Sequence, residues 1–386
     1  MATLGERGAV GPSAAEAGAR ARPIVIAGGG TAGHVLPALA VAQALVARGH
    51  DPGDVRFVGS RRGLEARLVP EAGFAVTLLP GRGVERRVSW QAVTAVAGLA
   101  AATVAVTARM ARARPAVVLS VGGYAALPCA VAALLLRIPL VVAEANAVPG
   151  ATNRLAARWA RASAVAFDGT DLPRAVVTGT PVRPEVRAVS RQPDARRTAR
   201  AELGIEQGRH LVAVTGGSLG ARRVNEAVFD LVQRWSARAD IAVHHALGAR
   251  DWPAMAARRP APVALQYQAV EYEDRVPTLL SAADVWVGRA GGVTLAELTA
   301  VGVPSVLVPL PIAPHDHQAV GARRLAADGA CVVVPDADCT GERLAHELDA
   351  LLGSAGRLEA MAGAAARAGH PDAADRVAEL LEEHGA

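Results

Sequence analysis

The sequence predicts an α/β protein built as two Rossmann-like, doubly wound domains facing a cleft. Three observations predict it. Short aliphatic runs alternate with alanine-rich helical patterns along most of the chain. Two of those runs empty into glycine turns, PIVIAGGGTAGH (Pro23 to His34) and LVAVTGGSLGAR (Leu211 to Arg222), each followed by a helix-like pattern. A polar, arginine-rich break beginning at Pro184 separates the halves. Strands spaced by helices argue for parallel sheets, because a parallel crossover needs an intervening segment of that length.

At 386 residues and 51% hydrophobic content, the chain can build two cores of ordinary domain size. Aromatics are only 3%, so those cores consist of Ala, Val and Leu. All 41 basic residues are arginine, which excludes a Walker A lysine, a Schiff-base lysine and the lysine of many reductases. The formal charge of +5 is scattered and carries little aromatic interleaving. That pattern argues against nucleic acid and suits anionic phosphates or a lipid surface. Cys129, Cys331 and Cys339 are an odd, sparse set without metal-ligand spacing, as expected in a reduced, cytoplasmic setting.

In chain order, residues 1–22 lack the apolar segment of a secretory signal and read as a flexible polar tail. The runs IVIA, VRFVG, VTLLP, AVVLSV, PLVVAEA, SAVAFD and AVVTG then give a first domain over 23–182. Within it, Val88 to Ala108 is uncharged, but its Ala, Thr and Val content predicts a half-buried helix rather than a membrane span. Just ahead, Arg82, Arg86 and Arg87 mix with Val84, Val88 and Trp90. Two readings stay open there: the surface of an anionic membrane, or an ordinary solvated loop. LVAVTG, IAVHHAL, VALQYQ, DVWVG, PSVLVPL and CVVVPD give a second domain over 183–365. The last segment, 366–386, contains an amphipathic helix expected to pack back on the first domain.

Gly28, Gly30 and Gly33 satisfy G-x-G-x-x-G between a strand and a helix, so a dinucleotide site must be weighed. An NAD site would need an acid at the end of the second strand, where Ser60, Arg61 and Arg62 stand instead. Two arginines suit an NADP phosphate, yet no reductase acid follows: lysine is absent and Tyr124 stands alone. His34 closes the turn at a helix N-terminus, which disfavours the imidazolium and leaves a ring able to accept a proton. A histidine that merely packs there is the alternative.

In the second half, Thr215, Gly216, Gly217, Ser218 and Gly220 can present N–H groups and a hydroxyl to a phosphate. DVWVGRAGGVTLAEL adds a second exposed helix start at Gly291 and Gly292, with Glu297 placed for ribose hydroxyls. Asp336-Ala337-Asp338 looks like the D-x-D of metal-dependent transferases, but its place before a helix predicts capping aspartates. His315-Asp316-His317 is weak as a metal site without a third partner.

GGGTAGH, GGY (Gly122 to Tyr124), GGSLGA, and RAGGVTLAE followed by HQ occur in this order over almost the whole chain. Together they resemble the MurG family, glycosyltransferases with the two-domain GT-B fold. EAN (Glu144 to Asn146) is similar to the family's EQN, and GTPVR (Gly179 to Arg183) to its GNPVR. The resemblance implies inverting, metal-independent transfer of GlcNAc from UDP-GlcNAc to lipid I, giving lipid II for peptidoglycan, with no cofactor. It implies a peripheral protein at the cytoplasmic face of the cell membrane, beside the cell-wall synthesis machinery. It also implies donor contacts at Asn146, Arg183, Ser218, Glu273 (through its backbone, to the base), Gly292, Val293, Thr294, Leu295, Ala296, Glu297 and Gln318. Thr31, Ala32 and Gly33 would border the transferred sugar and the acceptor diphosphate. Gly30, Thr31, His34, Gly122, Gly123 and Tyr124 would form the acceptor side, with His34 as general base and Glu297 on ribose. Ala145, Thr180 and Gly321 depart from the family pattern, as Ala32 does mildly.

Overall fold

The computed structural model describes residues 22–80, 90–217 and 220–386, without the side chains of 90–96. Its first strands are β1 (Ile24–Ala27), β2 (Val55–Ser60), β3 (Ala75–Leu79), β4 (Val117–Ser120), β5 (Leu140–Glu144), β6 (Ala162–Val165) and β7 (Ala175–Val177). Then follow β8 (His210–Thr215), β9 (Ile241–Ala246), β10 (Gln266–Val270), β11 (Val285–Gly288), β12 (Ser305–Leu307) and β13 (Val332–Val333). Each aliphatic run named above becomes one of these strands. The helices of the first half are α1 (Ala32–Ala47), α2 (Glu65–Glu71), α3 (Trp90–Ala113), α4 (Ala126–Leu136) and α5 (Ala151–Ala156). Those that follow are α6 (Pro184–Arg187), α7 (Pro193–Glu202), α8 (Arg222–Arg234), α9 (Trp252–Met255) and α10 (Val276–Ala282). The last are α11 (Gly292–Val301), α12 (His317–Ala327), α13 (Gly341–Leu352), α14 (Ala355–Ala368) and α15 (Ala373–Gly385).

Among the described residues the strands form two sheets, ordered β3-β2-β1-β4-β5-β6-β7 and β10-β9-β8-β11-β12-β13. The central pairs β1–β4 and β8–β11 run parallel, as do their neighbours. β1, β4 and β11 are buried at every residue, which is why they read as continuous rather than alternating aliphatic runs. Helices cover both faces, and their alanines let backbone approach backbone. α3 buries Ala102, Val106 and Met110 along one stripe and leaves Val104 outside. No described helix is long and apolar enough to cross a membrane.

Val182, Val186, Ala364 and Ala365 pack in the core of the second sheet. The chain then crosses through Gly369–Asp372, and α15 sets Ala374, Val377, Ala378 and Leu381 against Ile24, Ile26 and Leu45 of the first. Arg48 and His50, just past α1, hold Glu382 of that helix at 2.7 and 3.0 Å.

In each sheet the strand order reverses once, between β1 and β4 and between β8 and β11. Ligands of doubly wound sheets bind at such switch points, beyond the carboxyl ends of the strands. GGGTAGH follows β1, GGY follows β4, GGSLGA follows β8 and RAGG follows β11. The four motifs therefore occupy the two crevices that the topology opens.

Candidate active site

The first crevice is made by two interlocked glycine turns. Gly29 N–H donates to Gly122 O at 3.3 Å. Gly28 and Gly123 have φ of +142° and +83°, and a Cβ on either would lie 2.3–2.4 Å from a backbone oxygen of the other turn. Only glycine fits there. His34 sits on the first turn of α1, half-buried, with Nε2 against Gly122.

Thr31 is the N-cap of α1 but makes no capping bond. Its Oγ1 lies 3.2 Å from His34 Nδ1 instead. For Nε2 to accept a proton, Nδ1 must carry the hydrogen and donate to Thr31. Burial holds His34 below the ordinary imidazole range, against the carboxylates of Glu144 and Glu65, which pull it up. The ring is thus neutral near pH 7. The amides of Thr31, Ala32 and Gly33 meet no acceptor among the described residues, whereas Gly30 N–H is taken by Glu65 Oε2 at 2.7 Å. Gly30 therefore offers a ligand no free amide, because its donor already has a partner. Tyr124 also spends its hydroxyl hydrogen, on Pro80 O at 3.0 Å.

Asn146 is fixed by Glu144, a buried carboxylate at the end of β5. Glu144 accepts from Asn146 N and Nδ2 at 3.0 and 2.9 Å, from Gly150 N at 3.0 Å and from Asn153 Nδ2 at 3.1 Å. The Asn146 amide oxygen meets no donor among the described residues. The next contact is between domains: a Cβ on Gly292 would lie 2.5 Å from Ala145 O. Thr180 Oγ1 donates to the same oxygen at 3.4 Å. Gly321, the third departure, lets α12 lie against Leu295 of α11, 3.0 Å from a would-be Cβ.

The second crevice is headed by α11, whose N-cap Gly291 uses no side chain. Gly292, Val293 and Thr294 are its first residues, so their amides point out of the helix end unpaired. Glu297 lies a turn further on and accepts from Arg183 Nη2 at 3.1 Å. It therefore does not serve as a helix-terminal charge. Burial raises the Glu297 carboxyl above its usual range and Arg183 opposes this. Arg183 Nε is buried with no acceptor among the described residues. Gln318 spends its Oε1 on Leu310 N–H at 2.9 Å and keeps its amide donors.

One expected donor contact is revised, at Leu295. Leu295 is 3% exposed in the core and its N–H is bonded to Gly291 O, so it cannot reach a ligand. Ala296 lies beside Leu295 against that same core. Glu273 is buried, with Oε2 2.7 Å from His244 Nε2 and Oε1 accepting from Arg275 N at 2.7 Å. Burial works to raise the Glu273 carboxyl, but the Arg275 bonds outweigh it and hold the group low. Only its backbone remains for recognition. Ser218 and the Arg82 to Trp90 surface fall outside the described residues or side chains.

In each metal motif one aspartate is held by an arginine. Asp336 binds Arg289 at 2.6 Å and caps no helix; Thr340 caps α13 instead. Asp316 pairs with Arg323 at 2.8 Å, and His317 Nδ1 is 2.9 Å from Pro314 O. Sequence reasoning missed Glu65, Asn153 and Asp251, which hold the loops from below. Their loop-holding partners Gly30, Ser120, Arg222 and Asn225 lie 26 to 35 residues away in sequence, and the only local hint is the pair Gly59 and Gly63 ahead of Glu65.

Residues 24–165 match the glycosyltransferase family 28 N-terminal domain, and residues 211–377 its C-terminal domain. The chain is 41% identical over 361 residues to the UDP-N-acetylglucosamine--N-acetylmuramyl-(pentapeptide) pyrophosphoryl-undecaprenol N-acetylglucosamine transferase of Clavibacter sepedonicus. That match covers 93% of this chain and 95% of the relative. The protein of the same name from Acidothermus cellulolyticus is 40% identical over 366 residues, covering 94% and 98%. The crystal structure of Acinetobacter baumannii MurG superimposes with a TM-score of 0.73 at 29% identity, covering 93% of this chain and 98% of that one. With both crevices, the ordered motifs and these matches in agreement, the chain belongs to the MurG family of glycosyltransferases.

Proposed function

We propose that this chain transfers GlcNAc from UDP-GlcNAc to the C4 hydroxyl of MurNAc-pentapeptide on undecaprenyl diphosphate, the step from lipid I to lipid II. The observation that carries the reading is the pair of unlike helix starts facing one cleft. One ends in a neutral histidine, and the other is backed by the Arg183–Glu297 pair. Full-length relatives bearing that activity in their names support it.

In this reading Nε2 of His34 takes the proton of the C4 hydroxyl as its oxygen attacks the anomeric carbon. The bond to UDP breaks on the opposite face, so the configuration inverts without a covalent intermediate. Negative charge gathering on the departing UDP is met by the open amides of Gly292, Val293 and Thr294 and the positive end of α11. Glu297, oriented by Arg183, accepts the ribose hydroxyls. The Glu273 backbone reads the base, and Asn146 and Gln318 hold the sugar. The amides of Thr31, Ala32 and Gly33 take the acceptor diphosphate. Domain limits at 23–182 and 183–365, with the C-terminal helix returning, are part of this reading; Val182 packing in the second core and α15 packing on the first support a boundary there.

A membrane-facing position is part of the proposal. Leu134, Arg137, Arg158, Trp159, Arg161 and Arg174 line an open groove of about 750 Å³ on the first domain. Leu134, Leu135 and Val104 are exposed nearby. Apolar side chains rimmed by arginine suit an anionic lipid surface at the cytoplasmic face, where wall-synthesis partners would assemble.

The decisive experiment incubates the chain with radiolabelled UDP-GlcNAc and a short-chain lipid I analogue. Label in the lipid is expected. A folded, UDP-binding protein that labels only water or a soluble aglycone would sink the proposal.

A further inference from the structure

Glu65 opens α2 and is 1% exposed, yet it forms no ion pair among the described residues. The neighbouring Arg61 and Arg62 are exposed. Its two oxygens are both spent on backbone: Oε2 accepts Gly30 N–H at 2.7 Å and Oε1 accepts Ser60 N–H at 2.6 Å. The chain makes room for it with glycine. A Cβ on Gly29 or Gly63 would lie 2.4 or 2.1 Å from carboxylate atoms, and one on Gly59 2.2 Å from Cγ.

A buried carboxylate with only amide partners costs several kcal/mol unless its site requires it. An apolar side chain would fill the space but strand the buried Ser60 N–H and the part-buried Gly30 N–H. A glutamine would aim its NH₂ at one of them. Only a carboxylate accepts from both. The result is a tie between the loop after β2 and the loop after β1, made at Gly30, whose φ is +99°. The next residues are Thr31, which holds His34 Nδ1, and the open amides of Ala32 and Gly33.

We infer that Glu65 is a positioning residue for transfer: it fixes the β1–α1 loop so that His34 and the free amides meet the acceptor, and sets a negative charge behind His34. The inference rests on assigning the acceptor to this loop. His34 is faced by Glu144 from β5, by Glu65 from α2 and by His317 from the second domain. Burial and His317 oppose its protonated form, and the two carboxylates and a hydrogen bond to the Gly29 backbone favour it.

The test uses the full chain with Glu65→Gln, Glu65→Asp and Gly63→Ala. Hydrogen exchange of the peptide spanning Gly28 to Val35 should quicken in Glu65→Gln, while UDP affinity stays within about twofold. Acceptor kcat/KM should fall about 100-fold, the scale of a small misplacement of reacting groups. Its acid limb should move to lower pH, because a lost negative charge makes His34 less basic. Glu65→Asp, keeping the charge, should leave the limb near its wild-type position. Gly63 has ordinary backbone angles, so Gly63→Ala acts by displacing the carboxylate and should also quicken exchange. It carries the test if Glu65→Gln does not fold. Wild-type exchange and acceptor kinetics in these variants overturn the inference, as does a rate loss with an unmoved acid limb. A wild-type chain that labels no lipid instead sinks the functional proposal, and the exchange result still decides the tie.

Discussion

Both halves of the molecule rest a glycine turn on a buried carboxylate, but the two carboxylates are treated in opposite ways. Under the first turn, Glu65 meets only backbone amides and takes one of them, Gly30 N–H, out of use. Under the second, Asp251 is also 1% exposed and lies 2.8 Å from where a Cβ on Gly220 would be. It accepts from Arg222 Nε at 3.2 Å, Arg250 Nε at 3.3 Å and Asn225 Nδ2 at 3.1 Å. One turn therefore sits over an uncompensated negative charge and the other over a charge matched by two guanidinium groups. On the proposed reading the first arrangement would favour a proton acceptor, and the second would leave the turn at Gly220 without an unmatched negative charge. A shared fold thus carries two different electrostatic settings.

The sharpest way to break this contrast is His34→Ala. Removing a general base should lower kcat by about 10²- to 10⁴-fold with little change in UDP affinity. Equal losses in both, read by initial rates and calorimetry, would take the base role away from the first half. Next comes Glu297→Ala, which strips Arg183 of its partner in a site that is mostly buried. Losing a charge-assisted bond there should raise the UDP-GlcNAc KM roughly 10- to 100-fold. An unchanged donor KM would mean the second half does not hold the nucleotide.

Asp251→Asn probes the compensated carboxylate directly. It should cost about 1–3 kcal/mol in urea denaturation, since Arg222 and Arg250 lose a charged acceptor. It should weaken UDP binding while exchange in Gly28 to Val35 stays as in wild type; faster exchange there would show that the two turns are not independent. The smallest effect belongs to the latch on α15. Arg48 and His50 hold the Glu382 carboxyl below its usual range, the Arg48 bond being the larger cause. A carboxyl lowered by folding contributes stability above its unfolded pKa and loses it as pH falls through the folded value. Exchange across Ala373–Gly385 should therefore rise on acidification below the ordinary glutamate range. Glu382→Gln should flatten that dependence, and a variant that keeps it would clear the latch of responsibility.

How much of this was legible in the sequence follows from the range of each interaction. Aliphatic runs declare buried parallel strands locally, so every strand was readable, and the glycine turns declared the crevices. The pairings were not. Glu65 with Gly30, Arg183 with Glu297 and Asp336 with Arg289 join residues that only the topology brings together. Asp336 stood where a helix cap was expected, because sequence spacing says nothing of an arginine arriving from another strand. Leu295 looked like part of the donor turn, and helical periodicity instead turned it into the core.

The chain passes between the halves twice, at Gly179–Arg183 and at Gly369–Asp372, and the passages touch. A Cβ on Gly179 would lie 2.3 Å from His370 Cβ. Two tethers pinned at nearly one point behave as a door on a single pin. Sliding or separating the halves would stretch one passage against the other, whereas swinging about the pin strains neither. The mouth of the cleft then widens in proportion to its distance from the pin, so a bulky lipid-borne sugar and a compact nucleotide can be admitted by the same modest swing.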